Sequence, residues 1–342
     1  MSSATPHERD EWGVWRPPGQ MRPAPPNYWP PAPRSLARWF FGWPGYLWPF
    51  NALWFALALF TWALLTPDLA SMRSFEVWWI GLIFVRNAVL TLLLFGGLHY
   101  YLYLKRGQGD WLRLTTRPFA TGNRRFRFRS QVRENVCYTL ASGVPVFTAF
   151  EVCTWWGFAN GYLGYGLEGT GGFGVWAWTA ILAVLAPMIH GAHFYFGHRL
   201  LHTKLLYRRF HALHHKNTHI GPWAGLSMHP VEHVIYFSTV VVQWLLAVHP
   251  VNALFQIQIA VIYAALAHTG FEKVMLGTRL GMEGNSYFHY LHHKHFECNY
   301  GGTTVALDHV FGTHHDGTVA ADGNLRQRLE ARKRILPNVS VV

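Results

Sequence analysis

Residues 47–66 read LWPFNALWFALALFTWALLT, a stretch of twenty residues without a charged side chain. A helix of this length rises about 1.5 Å per residue and so spans roughly 30 Å, the thickness of the hydrocarbon core of a bilayer. Pro67 and Asp68 follow and end the apolar run. The stretch therefore predicts a transmembrane helix, and the rest of the chain must fit a membrane fold.

The composition of the 342-residue chain agrees with this prediction. Hydrophobic residues make up 51% and charged residues only 13%, whereas soluble domains carry about 25% charged residues. Three further apolar blocks, at about 77–104, 136–158 and 175–197, are long enough to cross a membrane. Two shorter arms, 234–248 and 253–267, predict a tight helical hairpin that either crosses or re-enters. We therefore predict an all-α fold, a multi-pass transmembrane helical bundle.

Basic residues mark one side of the predicted bundle. Residues 105–133 contain nine Lys or Arg residues, whereas residues 159–174 contain none. Because short cytoplasmic loops are enriched in Lys and Arg, the basic loop is predicted to be cytoplasmic and the Gly-rich loop external. Counting crossings from there places the histidine-rich segments on the cytoplasmic side as a cap. Topology and anionic lipid account for the net charge of +12, so no nucleic-acid partner is expected.

Histidine is concentrated in the second half of the chain. Nineteen of the 21 histidines lie between residues 190 and 315, with three clusters in HRLLH (198–202), HALHH (211–215) and HYLHH (289–293). Residues three or four apart share a helix face, so two imidazoles at that spacing can bind one ion. Eight histidines exceed the needs of a single ion, which favours two. Imidazole suits Fe, Zn, Cu and Ni alike, so the residues alone leave the metal open.

These three clusters, in this order, resemble the HxxxH, HxxHH and HxxHH motifs of the fatty acid hydroxylase and sterol desaturase superfamily. The segments LSMHPVEH, AHTGFE, HHKHFECNYGG and LDHVFGT are also similar to its connecting motifs. The resemblance covers about 176–316. It implies a membrane-bound non-haem di-iron oxidoreductase that uses O2 and external electrons to hydroxylate or desaturate a lipid of sterol or fatty acyl type.

The resemblance also implies the metal ligands. The set comprises the eight histidines of the three motifs and a ninth in AHTGFE: His198, His202, His211, His214, His215, His268, His289, His292 and His293. Four other residues are candidates for an extra ligand or for a group that contacts a ligand: His229, His233, Glu272 and Asn299. For Glu272 a structural charge, and for Asn299 a turn residue, are alternatives that stay open.

Composition, apolar length and the resemblance together predict four segments. Residues 1–46 form a proline-rich arm, expected to be extended and mobile, and 47–175 hold the first transmembrane helices with the basic loop. Residues 176–316 form a fatty acid hydroxylase-like catalytic domain, and 317–342 form a tail. The expected membrane is a bacterial inner membrane or the endoplasmic reticulum.

The implied cofactors are two iron ions, and the implied partners are a lipid substrate, O2 and an electron donor. The sequence contains no dinucleotide-binding, haem or iron–sulfur motif, so the donor is expected to be a separate protein, such as a b-type cytochrome, a ferredoxin or a reductase. Basic patches at 204–216 and 326–334 suit an acidic carrier. Topology and lipid contact explain the same charges equally well.

Two other functions fit parts of the sequence. A membrane metal transporter or metal-binding protein would also use many histidines, although transport sites tend to lie at the midplane of the bilayer. A zinc metallohydrolase would use HPVEH (229–233), which satisfies the H-x-x-E-H pattern. Pro230 is typical of the first position of a helix, so this motif is predicted to straddle a helix boundary.

Overall fold

The computed structural model describes residues 32–164 and 171–335 and, in the N-terminal arm, residues 9, 13–16, 21–28 and 30. The helices of these residues are α1 (Pro33–Phe41), α2 (Leu47–Leu65), α3 (Val77–Leu104), α4 (Gln131–Ala159), α5 (Gly172–Leu201), α6 (Lys204–Arg209), α7 (Pro230–Phe237), α8 (Val240–Leu246), α9 (Pro250–Ala267), α10 (Ser286–His295), α11 (Leu307–Val310) and α12 (Val319–Ile335). Short 3-10 turns and one pair of strands complete the fold. The centre of the Gly-rich loop, residues 165–170, and the tail residues 336–342 lie outside the described residues.

Five of these helices, α2, α3, α4, α5 and α9, are long and apolar enough to cross a membrane. They confirm the predicted spans, and the chain is a multi-pass integral membrane protein. Large apolar side chains such as Leu53, Phe60 and Leu93 are exposed on the outside of the bundle. In a bilayer these side chains face lipid, and the helices satisfy their own backbone hydrogen bonds.

The predicted hairpin is present, but its two arms differ. The first arm begins at Pro230 and is interrupted after Phe237, so it consists of α7 and α8. The second arm, α9, is continuous and almost wholly buried. It packs against α2, α5 and the 3-10 turn Pro222–Leu226. Because α9 ends at His268, this central helix brings that residue to the histidine-rich end of the bundle.

One element departs from a purely helical fold. Strands β1 (Lys273–Leu276) and β2 (Leu280–Glu283) pair antiparallel, with Lys273 opposite Glu283. Gly277, at φ +73° in the intervening turn, supplies the left-handed conformation that the tight reversal requires. The chain is nevertheless mostly helical, which confirms the predicted fold class.

The proline-rich arm contacts the histidine-rich domain in its described stretches, and its expected mobility stays a prediction. The Asn27 side chain donates to the carbonyl oxygens of Thr303 and Thr304, at 3.5 and 3.1 Å, and accepts from the Ala306 N–H at 3.1 Å. Trp15 is buried in a small apolar cluster with Leu114. Composition does not show such docking, because each contact pairs residues about 100 to 280 positions apart.

A polar network lies inside the bundle between α3 and α4. The Arg86 guanidinium forms a buried ion pair with Glu151, whose carboxylate also accepts from Asn87 at 2.8 Å and Trp155 at 2.9 Å. Arg86 also donates to the carbonyl oxygen of Leu65 at the end of α2. The network therefore joins three spans, and its charges are neutralised within it.

Candidate metal centre

The ends of two long helices and two short elements bring the histidines together at one end of the bundle. The last turn of α5 carries His198, and His202 follows that helix directly. His268 is the C-cap of α9. The remaining six lie on the 3-10 turn His211–Lys216 and on α10. All nine side chains are buried, at 9% exposure or less.

The nine imidazoles form two separate groups. Five ring nitrogens converge in the first group, contributed by His198, His202, His211, His215 and His292. Four converge in the second group, contributed by His214, His268, His289 and His293. Within each group the ligand atoms lie within 4.8 Å of one another. We call these the five-histidine group and the four-histidine group.

The two groups do not follow the sequence motifs. Each pair at i, i+4 spacing stays together, as in His211 with His215 and His289 with His293. The remaining histidine of each HxxHH motif, His214 or His292, belongs to the other group. Adjacent residues on a helix point in different directions, so one motif supplies ligands to both groups. Each group therefore depends on several motifs at once.

The distances between ring nitrogens fit a metal ion at the centre of each group. Neighbouring Nε2 atoms lie 3.0–3.1 Å apart in the five-histidine group and 3.1–3.3 Å apart in the four-histidine group. With metal–nitrogen bonds of about 2.1 Å, right-angled ligands lie about 3.0 Å apart and tetrahedral ligands about 3.4 Å apart. The measured separations fall in this range, so both groups fit a coordinated ion.

Hydrogen bonding within the groups cannot account for their geometry. The Nδ1 atom of His268 donates to the carbonyl oxygen of Ala264 at 2.9 Å, which leaves a single lone pair on its Nε2. Three other nitrogens, from His214, His289 and His293, lie within 3.3 Å of that Nε2. One lone pair accepts one hydrogen bond, so the convergence of three neighbours leaves lone pairs facing each other. A cation at the centre relieves that repulsion.

Backbone carbonyls fix the ring orientation in the same way elsewhere. His198 Nδ1 donates to the Tyr300 carbonyl and His292 Nδ1 to the Cys298 carbonyl, each at 2.7 Å. The Ala264 oxygen, which accepts from His268, lies close to the turn 222–226. Gly225 permits this approach, because a Cβ atom there would lie 2.1 Å from that oxygen. In His198, His268 and His292 the converging Nε2 atoms are thus unprotonated in the tautomer that the backbone selects.

Burial keeps these imidazoles neutral. It lowers the pKa values of the candidate ligands outside the membrane spans below 6.5, and neighbouring imidazoles lower them further. These residues are His202, His211, His214, His215, His268, His289, His292 and His293. Imidazole binds metals in its neutral form. The site is therefore ready to bind a metal without first losing protons.

Glu232 is a contact of the five-histidine group that the sequence did not reveal. Its Oε1 lies 2.7 Å from His211 Nδ1, and both side chains are buried. A carboxylate behind a metal-binding imidazole orients the ring and raises its basicity. The sequence feature that could have identified Glu232 was a lone carboxylate in the first turn of an apolar helix, inside the HPVEH motif.

His229 and His233 lie outside both groups. His229 is the N-cap of α7, where its Nδ1 accepts from the Val231 N–H, and Pro230 occupies the first turn. His233 Nδ1 lies 2.9 Å from Ser142 Oγ, and its Nε2 lies 3.1 Å from the Leu226 oxygen. The motif straddles a helix boundary as predicted, and its histidines point to different partners. This geometry is unlike that of a zinc hydrolase.

The structure does not bring Glu272 or Asn299 to the groups. The Asn299 amide donates to the Phe288 and His315 carbonyl oxygens and accepts from the His315 N–H, so backbone groups use its polar atoms. Burial and the nearby Glu283 raise the pKa of Glu272 to about 7. Neither residue is among the converging ligand atoms. The polar atoms of Asn299 bind backbone groups, whereas the raised pKa of Glu272 disfavours the structural charge that was its alternative.

A third group, formed by His295, His315 and Asp322, lies nearby but has different chemistry. His315 Nδ1 accepts from the Gly317 N–H at 3.2 Å, so its Nε2 carries the hydrogen and donates to Asp322 at 3.1 Å. Asp322 also pairs with Arg16 at 3.5 Å. With its lone pair already used, His315 is not arranged as a metal ligand, and the group ties α12 to the domain.

An apolar cavity opens beside the two groups. Its empty space of about 890 Å3 includes open solvent at its mouth. Apolar side chains such as Phe194, Met228, Ile235 and Val305 line it. Five of the nine histidines also form part of its wall: His198, His211, His214, His268 and His289.

The fold and the site define a multi-pass membrane protein with a buried, all-histidine metal-binding centre. Residues 183–313 match the sequence model of the family described as fatty acid hydroxylase. This match supports the resemblance to the fatty acid hydroxylase and sterol desaturase superfamily seen in the three motifs.

Curated relatives match over the same part of the chain. A delta(7)-sterol 5(6)-desaturase of Gibberella zeae is 32% identical over 41% of this chain and 43% of its own length. Methylsterol monooxygenase 2-2 of Arabidopsis thaliana is 32% identical over 35% and 47%. A very-long-chain aldehyde decarbonylase of Oryza sativa subsp. indica is 31% identical over 41% and 55%. The chain thus spans about half the length of these relatives. No solved structure matches it.

Proposed function

We propose that the protein is a membrane-bound, O2-dependent oxidoreductase that hydroxylates or desaturates a lipid at a di-iron centre. The observation that carries this proposal is the convergence of nine buried imidazole nitrogens into two groups on the wall of an apolar cavity. The names of the relatives include a desaturase and a monooxygenase that act on sterols. The substrate of this chain is proposed to be a lipid of the sterol or fatty acyl type.

Two iron ions are the proposed cofactors, one in each group. Removing hydrogen from an unactivated C–H bond exceeds what side chains can do, and iron with O2 supplies the redox chemistry. The nine histidines His198, His202, His211, His214, His215, His268, His289, His292 and His293 are the proposed ligands. Since no carboxylate lies in either group, the ligand set leaves the full charge on the metals.

The cavity supplies the remaining requirements. Its apolar wall accepts an alkyl or sterol chain from the bilayer and excludes water from the bound lipid. Phe194 stacks on His198 with ring centroids 4.8 Å apart, and its ring also lies 6.1 Å from that of His289. Phe194 therefore lies between the apolar cavity and one proposed ligand of each group.

The histidine groups are proposed to face the cytoplasm. The basic loop contacts the histidine-rich domain directly, because the Leu114 N–H donates to the Gly270 oxygen and the Glu272 N–H to the Leu112 oxygen, both at 2.9 Å. The loop and the groups are therefore on the same side. The positive-inside rule then supports a cytoplasmic position for both.

A separate acidic protein is proposed as the electron donor. Tyr207 lies between the five-histidine group and a basic surface, with its ring centroid 5.5 Å from that of His202. Arg125 lies close enough to oppose the rise that burial causes in the pKa of Tyr207. The exposed Arg208 and Arg209 extend the same surface. Its charge fits an acidic b-type cytochrome, ferredoxin or reductase.

Metal analysis combined with lipid mass spectrometry tests the proposal. We expect the purified protein to contain two iron ions per chain, and cells that express it to gain a lipid altered by +16 Da for hydroxylation or −2 Da for desaturation. His214→Ala should abolish the product, whereas the exposed His309→Ala should not. Exchangeable zinc with metal uptake into vesicles, and no new lipid, would instead support a transporter.

A further inference from the structure

Two histidines of α5 line the cavity without belonging to either group. His190 and His193 lie two helical turns and just over one turn before His198, and both contribute to the cavity wall. The His190 ring stacks on Phe194 at 6.0 Å and meets Tyr236 edge-on at 5.4 Å. Two imidazoles in the wall of an apolar cavity are unfavourable unless their nitrogen atoms form hydrogen bonds.

The hydrogen bonds of His190 leave one nitrogen without a partner. Tyr236 donates its hydroxyl hydrogen to the Ala260 carbonyl oxygen at 2.7 Å. Its oxygen, 3.4 Å from His190 Nε2, can therefore only accept, so Nε2 carries the ring hydrogen. Nδ1 of the neutral ring then has a lone pair, and it is buried with no hydrogen-bond partner among the described residues.

His193 repeats this arrangement. Ser238 donates its hydroxyl to the Ile235 carbonyl oxygen at 2.8 Å and so accepts from His193 Nε2 at 2.9 Å. The Nδ1 atom of His193 is likewise buried and unpartnered within the described part of the chain. His190 and His193 thus both line the cavity, and each carries one buried, unmatched acceptor. An unsatisfied buried acceptor costs about 1–3 kcal/mol, which a ligand donor would recover.

We propose that His190, with His193, forms a polar subsite for the hydroxyl group of the lipid. The inference rests on the proposed function and narrows its substrate to lipids that carry a hydrogen-bond donor, such as a sterol or a long-chain alcohol. His190 precedes His198 by eight residues, which corresponds to about 12 Å of helix.

Binding of matched probes to the full-length, metal-loaded protein in detergent tests this subsite. The probes are hexadecan-1-ol against hexadecane, and cholesterol against cholestane, measured by equilibrium dialysis without reductant. We expect the wild type to prefer one hydroxylated probe by about tenfold over its hydrocarbon. His190→Phe keeps the aromatic stack and should remove the preference without weakening hydrocarbon binding. His190→Asn returns an acceptor near the Nδ1 position and should restore it.

The exposed His309→Phe is the matched control and should leave the preference intact. Preference for the alcohol or for the sterol identifies which lipid carries the hydroxyl, and either supports the subsite. A preference that survives His190→Phe, or a wild type without any preference, overturns it. Because the assay needs no turnover, a hydroxyl preference without any oxidised lipid in cells would overturn the oxidoreductase and leave the subsite standing.

Discussion

Two buried polar clusters of the molecule differ in how their polar atoms are matched. Between α3 and α4, the charges of Arg86 and Glu151 neutralise each other, and Asn87 and Trp155 complete the hydrogen bonds of the carboxylate. In the metal centre, nine neutral imidazoles present their Nε2 atoms to each other. The first cluster is complete within the protein, whereas the second requires an added cation.

This difference distinguishes a structural polar cluster from a functional one in a membrane protein. Ionisable residues inside spans are often functional by default, yet the Arg86 network has no unmatched charge. The histidine groups contain far less formal charge but leave lone pairs opposed at 3.0–3.3 Å. The balance of donors and acceptors is therefore more informative than charge or burial.

Loss of a ligand should have the largest effect. His289→Ala removes one of four ligands from the four-histidine group, so we expect bound iron to fall from about two to about one per chain. Lipid oxidation should fall at least about 100-fold. His295→Ala, from the third group, should retain both ions. Inductively coupled plasma mass spectrometry of the two purified variants measures the bound iron. Equal iron in both variants would contradict the different roles assigned to His289 and to the third group.

Breaking the Arg86 network should reduce stability rather than metal binding. Arg86→Met leaves Glu151 charged and buried, which costs about 3–5 kcal/mol. The double variant Arg86→Met/Glu151→Gln removes that charge and should recover most of the loss. Thermal unfolding in detergent gives the stabilities, and iron content per folded chain should match wild type. Loss of iron in the folded double variant would mean that the two clusters are coupled.

The spans could be predicted from the sequence because apolar length alone sets them. The i, i+4 spacing likewise predicted that pairs such as His211 and His215 share one helix face. The division of each HxxHH motif between two groups could not be predicted, because it depends on how short turns rotate adjacent residues in space. The nine ligands themselves remain a proposal until a bound metal is measured.

Contacts between distant segments were the principal omissions. Glu232 lies 21 residues from His211, and no periodic pattern connects them. The docking of the arm through Asn27 involves partners more than 270 positions away. The β1–β2 hairpin was missed because four-residue strands leave too short an alternation to distinguish from a loop. Such features arise from tertiary packing, which a single sequence does not encode locally.

Glu232 provides a graded test of the metal centre. Glu232→Gln keeps an oxygen near His211 but removes its charge, so the five-histidine group should hold its metal about tenfold less tightly. The four-histidine group should be unaffected. Competition with a chelator should then resolve two release steps, only one of which shifts. Glu151→Gln is the control, and an equal shift there would mean that Glu232 acts through general stability.

Glu272 should affect stability and leave metal binding unchanged, because it lies outside both clusters. Burial and Glu283 raise its pKa to about 7, from about 4.5 in the unfolded chain. The folded state thus holds the proton more tightly, so this stabilisation is complete below pH 4.5 and is lost as pH rises towards 7. Glu272→Gln imitates the protonated form. It should be close to wild type at pH 4.5 and exceed it by about 3 kcal/mol at pH 8. Thermal unfolding at both pH values measures the difference, and a variant less stable than wild type at pH 8 would show that the ionised carboxylate has a stabilising partner.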